Sequence, residues 1–456
     1  MDEKSIFSKI NNRNSRILLI HPSFKYTGTD NFPLGLGYVA AILKKQGYQN
    51  ITVVDEQKYQ IGKDQIERIF KPEIVGISLT SPSFPRTKNI LKSIKKIRQN
   101  KQPLIILGGV HPTFRIEECL EAGGDIIVRG EADNTLLQLF SGVIKSLDEV
   151  NGISFFDHDN FMIKHNSDTE QITDLDTVPF PARELFKKEN YSVMSTTTSR
   201  GCPYNCNYCS ATTYWNNRVR YHSVEYVVNE LASIADLGYK LVIFEDATFS
   251  VNFKRTEAIC QELIENERIK SLVWSCETRP DRLNSDLLNL FDQSRCIMIN
   301  LGVESASDEV LRINNRNVKL ENVIDAIQTG KKLRSTIQVM MIFGLPGENQ
   351  QSVKETINFL ETYKPDRVLL SLATAYPGTE LDHTTNRIDL PLEWRKKFVG
   401  HGGDQHSPLY FPENMLKEEY ITLAEKLLET VNKVNKINHS MFRKRQDRVI
   451  KESYLE

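Results

Sequence analysis

A chain of 456 residues is too long for one ordinary domain, and a prior of ~100–200 residues per domain predicts two to four. Hydrophobic residues make up 40% of it and charged residues 26%, as in a globular protein. With 58 Lys plus Arg against 59 Asp plus Glu, the net charge of −1 predicts no general attraction to nucleic acid or to an anionic membrane. No apolar run approaches the ~20 residues that span a bilayer. The polar stretch Met1 to Arg16 lacks the apolar core of a signal peptide, so the reading is a cytoplasmic protein without a transmembrane segment. Seven cysteines in a chain this long do not form a disulfide framework. Cys119, Cys260, Cys276 and Cys296 are scattered and read as small buried side chains. The basic run Arg443-Lys444-Arg445 reads as a solvated helix face.

The first third alternates short apolar runs with helical periodicity. Arg16 to Ile20 suits a buried parallel strand. A helix follows over Leu36 to Gln46, closed by Gly47. Further strands are expected at Ile51–Asp55, Ile74–Leu79, Leu104–Leu107 and Asp125–Val128, with helices such as Pro85–Gln99 and Ala132–Lys145 between them. This β/α rhythm predicts a doubly wound, flavodoxin-like domain over residues 1–150. In such sheets a ligand sits beyond the carboxyl ends of the strands. Those ends carry Gly35 and Gly37, Ser81, Gly108 and Gly109, and Arg129 and Gly130. Small residues there let backbone approach a ligand closely, and four such loops on one edge suit a large, phosphate-bearing molecule.

Residues 151–190 change character. A hairpin-like stretch at Gly152–Phe156 and Phe161–Ile163 precedes the proline-punctuated connector Asp176 to Arg183, and the segment reads as a linker. From Val193 the rhythm restarts, with strands expected at Val193–Thr198, Leu241–Glu245, Leu272–Cys276, Ile297–Gly302, Thr336–Phe343 and Arg367–Ala373. The helix Val224–Leu237 is framed by Ser223 and Gly238. Six units over residues 191–381 predict a partial (β/α)6 barrel, with chemistry at the carboxyl ends of its strands. From Asp382 to Glu456 the rhythm is lost. A polar loop holding His401 and His406 leads to a helical tail from Leu416, giving a small, mostly helical C-terminal region.

After the first barrel strand comes Cys202-Pro203-Tyr204-Asn205-Cys206-Asn207-Tyr208-Cys209. Structural zinc wants four ligands, commonly in two pairs, and only His222 stands nearby. A [4Fe–4S] cluster with one iron left open accounts for all three thiolates.

This C-x3-C-x2-C signature, with the aromatic Tyr208 before the last cysteine, resembles that of the radical S-adenosylmethionine (SAM) superfamily, from about Val193 to Leu381. The resemblance implies that Cys202, Cys206 and Cys209 hold the cluster and that Tyr208 packs near the adenine of SAM. Phe244-Glu245-Asp246 ends strand two, where the family contacts the methionine amino group. Cys276-Glu277-Thr278-Arg279 ends strand three. Gly302-Val303-Glu304 ends strand four, with Glu304 placed to meet the ribose or methionine. Arg316 resembles a carboxylate-binding arginine, and Gly344-Leu345-Pro346-Gly347 lies beside the adenine. Carboxylates suit the ammonium and diol of SAM, and an arginine can fork onto its carboxylate.

The segments Pro33 to Tyr38, Gly108 to Pro112 and Val128 to Glu131 resemble the cobalamin-binding domain of one class of these enzymes. That class lacks the D-x-H-x-x-G motif that gives cobalt a histidine elsewhere, and His111 is not assigned to cobalt. The resemblance implies cobalamin-dependent C-methylation of a small-molecule, lipid or peptide substrate, with an electron donor of flavodoxin or ferredoxin type; the near-neutral charge argues against a nucleic acid. Cyclisation, ring contraction or oxidative rearrangement on the same scaffold is the alternative. Methylthiolation would call for three more cysteines in the first domain, where only Cys119 is present. A non-catalytic iron–sulfur or cobalamin sensor is the reading from outside enzymes.

Overall fold

The computed structural model describes residues 2–24, 31–97, 102–398, 407–413 and 415–455, with backbone only beyond residue 438. His401, His406 and the side chains of Arg443 to Arg445 lie outside the described residues. The chain divides into two compact units, one running to Tyr191 and the other beginning at Ser192.

The first unit is built on β1 (Ile17–His21), β2 (Ile51–Asp55), β3 (Ile74–Ser78), β4 (Leu104–Gly108), β5 (Ile126–Val128), β6 (Ile153–Asp157) and β7 (Met162–His165). They form one sheet in the order β2-β1-β3-β4-β5-β6-β7. The first five are parallel. A run such as Ile17-Leu18-Leu19-Ile20 is apolar throughout because both faces of a parallel sheet are covered. Ile17 and Leu19 pack with Leu36, Ala40 and Leu43 of one helix. Leu18 and Ile20 pack with Ile90, Leu91 and Ile94 of another. The strand order reverses between β1 and β3, which is where open α/β sheets place ligands. The hairpin expected in the linker is the pair β6–β7, and β6 bonds antiparallel to β5, so it extends this sheet. The expected helix over Ala132–Lys145 stops at Leu139, where Ser141-Gly142 turns the chain with Gly142 at φ +84°.

The second unit begins with β8 (Met194–Thr196), β9 (Ser199–Arg200), β10 (Arg220–Tyr221), β11 (Leu241–Phe244), β12 (Val273–Thr278), β13 (Cys296–Glu304), β14 (Thr336–Phe343) and β15 (Arg367–Leu372). Six of these form a parallel sheet in the order β15-β14-β13-β12-β11-β8. Alternation fixes its faces. In β14, Ile337, Val339, Met341 and Phe343 are all at most 1% exposed; Ile337 packs on the helical Gly330, and Phe343 stacks near Tyr420 of the helix Lys417–Leu455. Gln338, Met340 and Ile342 therefore face the barrel lumen. Phe244, Phe249, Trp274 and Phe291 form an aromatic core behind β11 and β12. β15 is an edge strand, and an edge needs cover. Asn435 supplies it, accepting from Val368 N at 2.8 Å and donating to Val368 O at 2.9 Å.

Candidate active site

The cysteine loop springs from the end of β8. Asp246, 1% exposed, braces its root by accepting from Thr198 N at 2.9 Å, Thr198 Oγ1 at 2.7 Å and Ser199 Oγ at 2.5 Å. Arg255 adds bonds to Thr198 O at 2.7 Å and to Thr198 Oγ1 at 3.0 Å. The chain then turns at Gly201, whose φ of +100° is costly for any residue with a Cβ and whose Cβ would overlap the Arg218 carbonyl. Tyr204, inside the loop, is clamped from the end of β12. Arg279 stacks over its ring at 3.6 Å, and Arg282 donates to its hydroxyl. At the far end, Thr213 Oγ1 bonds Gly378 O at 2.7 Å and Glu380 N bonds Asn207 O at 3.0 Å, so the loop that follows β15 closes the other side.

The three thiols sit on this braced loop. Cys202 Sγ lies 3.9 Å from Thr248 Oγ1. Cys206, 5% exposed, accepts from Arg316 Nη1 at 3.8 Å. Burial pushes the Cys209 thiol up to about 11, and the charges of Cys206 and Cys202 add to it. Thiolates there call for a strong positive partner such as a metal. Among the described residues no three His, Cys, Asp or Glu side chains stand together as ligands of one ion. Each thiolate of a [4Fe–4S] cluster binds a different iron, so its ligands stand farther apart than those of a single ion. His222, the nearby fourth ligand weighed for zinc, is 1% exposed and stacked flat on Tyr226 at 3.9 Å.

The neighbouring strand ends bring most of the expected SAM residues to one mouth. Glu245 is exposed there and accepts from Ser195 Oγ at 2.9 Å. Asp246 is different: its oxygens are taken by Thr198 and Ser199 on the other face of the strand. Glu277 is reached by solvent yet walled by protein, which pushes its carboxyl up to about 7, with Glu304 and Glu245 adding to the shift. Glu304 ends β13 at a register shift, with φ +71°, a strained conformation for a residue other than glycine. Burial raises its carboxyl too, against the pull of Arg316 and Arg279. Arg316 Nη2 reaches Glu304 at 3.5 Å and bonds the Gly302 carbonyl. Tyr208 packs against Val310, Leu345, Ala375 and Leu381, with its hydroxyl unpaired. Gly344 lies against Tyr420 and Gly347 against Ile313. Glu348 ties the turn by accepting from Gly344 N at 3.0 Å and Ser352 Oγ at 2.9 Å. Deeper in the lumen, Gln338 Nε2 donates to Asn300 Oδ1 at 2.6 Å, leaving Gln338 Oε1 buried without a partner. Sequence reading missed Tyr204, Arg282, Asn300 and Gln338. Only the polar residues within apolar strand runs offered a signal for the last two.

In the first unit, the loops after β3, β4 and β5 meet. Ser81 Oγ bonds His111 Nδ1 at 3.0 Å. His111 stacks on Phe84 at 4.3 Å, and burial, then Arg115 and Lys88, lower its imidazole to about 4. Gly109, at φ +105°, lets this loop approach β3; its Cβ would come within 2.6 Å of Leu79 O. Gly108 precedes it at the end of β4. Thr113 links the loops, donating to Gly109 O at 2.8 Å and accepting from Gly130 N at 2.9 Å. A Cβ at Gly35 or Gly130 would meet nothing within 4 Å, so open space borders both, as beside a ligand cradle. Gly37 instead packs on Phe32 and Pro181. Arg129 turns to the Asn166 carbonyl and to Asp168 at 3.3 Å. No helix among the described residues is long and apolar enough to cross a membrane.

Comparison with known proteins bears on both units. Residues 196–360 match the Radical SAM superfamily and residues 24–140 the B12 binding domain. An uncharacterised methyltransferase of Pyrococcus horikoshii is 29% identical over 405 residues, covering 84% of this chain and 86% of its own. The anaerobic magnesium-protoporphyrin IX monomethyl ester cyclase of Rubrivivax gelatinosus is 28% identical over 392 residues, covering 80% of this chain and 69% of its own. The fold is also that of the radical SAM methyltransferase TsrM from Kitasatospora setae, at a TM-score of 0.73 and 14% identity over 92% of this chain and 89% of that one. A Radical SAM domain implies a [4Fe–4S] cluster and SAM, and a B12-binding domain implies cobalamin. The chain is a radical S-adenosylmethionine enzyme that carries a B12-binding domain.

Proposed function

We propose that this enzyme methylates a carbon atom of a small-molecule, lipid or peptide substrate, with Cys202, Cys206 and Cys209 holding the cluster. The observation that carries the reading is the braced thiol loop opening onto a mouth lined by Glu245, Glu277 and Glu304. When bound, the cluster supplies the electron that cleaves SAM to a 5′-deoxyadenosyl radical, and cobalamin supplies the methyl group.

The residues divide that work. Glu245, Glu277 and Glu304 offer carboxylates to the ammonium and the ribose diol of SAM. Glu277 does so as its proton leaves near neutral pH. Tyr208 and the turn Gly344 to Gly347 flank the adenine. Asp246 serves as a brace, since its oxygens are already bonded. Gly35, Ser81, Gly108, Gly109 and Gly130 border the cobalamin site, with Gly37 shaping it through Phe32. Arg129 faces Asp168 and supports the loop. Radical SAM enzymes need a reductant, and a flavodoxin or ferredoxin suits it.

Ring closure is the second reading, favoured by the cyclase of Rubrivivax gelatinosus at 28% identity. The test is anaerobic reconstitution with iron, sulfide and hydroxocobalamin, followed by desalting and an absorption spectrum. Retained cobalamin together with 5′-deoxyadenosine formed from SAM is the expected result. A protein that forms 5′-deoxyadenosine but retains no cobalamin would rule out methyl transfer from cobalamin.

A further inference from the structure

We propose that Arg316 sets the reduction potential of the cluster. This rests on the reading that Cys202, Cys206 and Cys209 are its ligands. Arg316 is 7% exposed and its guanidinium points at a cysteine sulfur, with Nη1 3.8 Å from Cys206 Sγ. Its direction is enforced. Nη2 bonds the Gly302 carbonyl and stands 3.5 Å from Glu304 Oε1. A Cβ at Gly302 would come within 2.7 Å of both Arg316 Nη2 and Glu304 Oε1, so only glycine leaves room for the pair. Glu304 accepts a φ of +71° to be there. A strained backbone angle and a required glycine thus surround one N–H···S contact.

Hydrogen bonds and charge next to cluster sulfurs set its potential. Reduction adds one electron from an external reductant and takes no proton from Arg316, whose guanidinium remains charged throughout. A fixed cation and an N–H donor at a ligand sulfur stabilise the reduced, more negative cluster. Glu304, the adjoining anion, opposes this. The pair therefore acts with opposite signs on the same potential.

The test is a redox titration of the reconstituted full-length protein, followed by the EPR signal of the reduced cluster and run without SAM. A role of Arg316 as a SAM ligand cannot move that readout. Arg316→Met is expected to be harder to reduce by about tenfold in the one-electron equilibrium, a drop of about 59 mV. Arg316→Lys keeps the charge without the planar fork and is expected to fall less. Glu304→Gln is expected to shift upward. Coincident potentials for Arg316→Met and the wild type would overturn the inference. Should Arg316→Met take up no cluster, Glu304→Gln decides, and an unchanged or lowered potential there overturns it. A wild-type protein that takes up no four-iron cluster would instead refute the ligand assignment itself.

Discussion

Glu245 and Asp246 are adjacent in the chain, yet they are predicted to fail in opposite ways. Asp246→Ala removes the acceptor for Thr198 N, Thr198 Oγ1 and Ser199 Oγ. Arg255 still donates to Thr198 Oγ1, but the hydroxyl proton of Thr198, its amide and the Ser199 hydroxyl all lose their buried acceptor. Each stranded buried donor costs about 1–3 kcal/mol. A loss of about 4 kcal/mol follows, which lowers the melting temperature of a unit this size by roughly 8–16 °C. Glu245→Gln leaves that network intact. Glu245 accepts from Ser195 Oγ at the open mouth, a bond that the Gln amide oxygen can also accept, so its melting temperature is expected to hold while the KM for SAM rises. The assay is thermal unfolding of both variants followed by circular dichroism, paired with 5′-deoxyadenosine production across a SAM titration. An Asp246→Ala protein that melts like the wild type but no longer saturates with SAM would refute the reasoning, because Asp246 would then be the ligand.

Gly201→Ala forces a Cβ against the Arg218 carbonyl at a φ of +100°; iron and sulfide analysis after reconstitution should find well below the wild-type cluster content per chain. Gly109→Ala pushes on Leu79 O and is expected to weaken cobalamin retention, read from the spectrum after desalting, while leaving iron content unchanged. Glu348, 5% exposed, has its carboxyl raised by burial from the usual 4.5 to about 7. The folded state therefore holds a proton that the unfolded state releases, so this contribution is full below about pH 4.5 and is lost as pH rises through about 7. Its size is roughly 3 kcal/mol, and Glu277 acts with the same sign. Glu348→Gln should flatten the fall of melting temperature between pH 5 and 8, and an unchanged slope would contradict the buried proton. Asn435→Ala strips β15 of its edge cover at Val368 and should cost about 1–3 kcal/mol in chemical denaturation.

Much of this was legible because parallel strands are buried on both faces. A run such as Leu104–Leu107 announces itself by apolar residues alone, and the cysteine spacing is local. Residue type alone did not separate Glu245 from Asp246, both expected at the methionine amino group. Val242 and Phe244 lie in the core, so Glu245 falls to the lumen and Asp246 to the opposite face. Contacts between distant segments were not legible. Arg316 meets Cys206 across 110 residues and Arg282 meets Tyr204 across 78, and no local pattern encodes either. The hairpin over β6 and β7 was visible as a hairpin, but its partner β5 was not, because antiparallel register is set by side chains brought together only in the folded sheet.

The central claim is that three cysteines hold a four-iron cluster with one iron open to SAM. EPR of the reduced, reconstituted protein before and after SAM addition tests it most directly. The account predicts a [4Fe–4S] signal in the wild type whose g values shift when SAM is added, and its loss in Cys206→Ala. A signal that ignores SAM, or one that survives in Cys206→Ala, would contradict it.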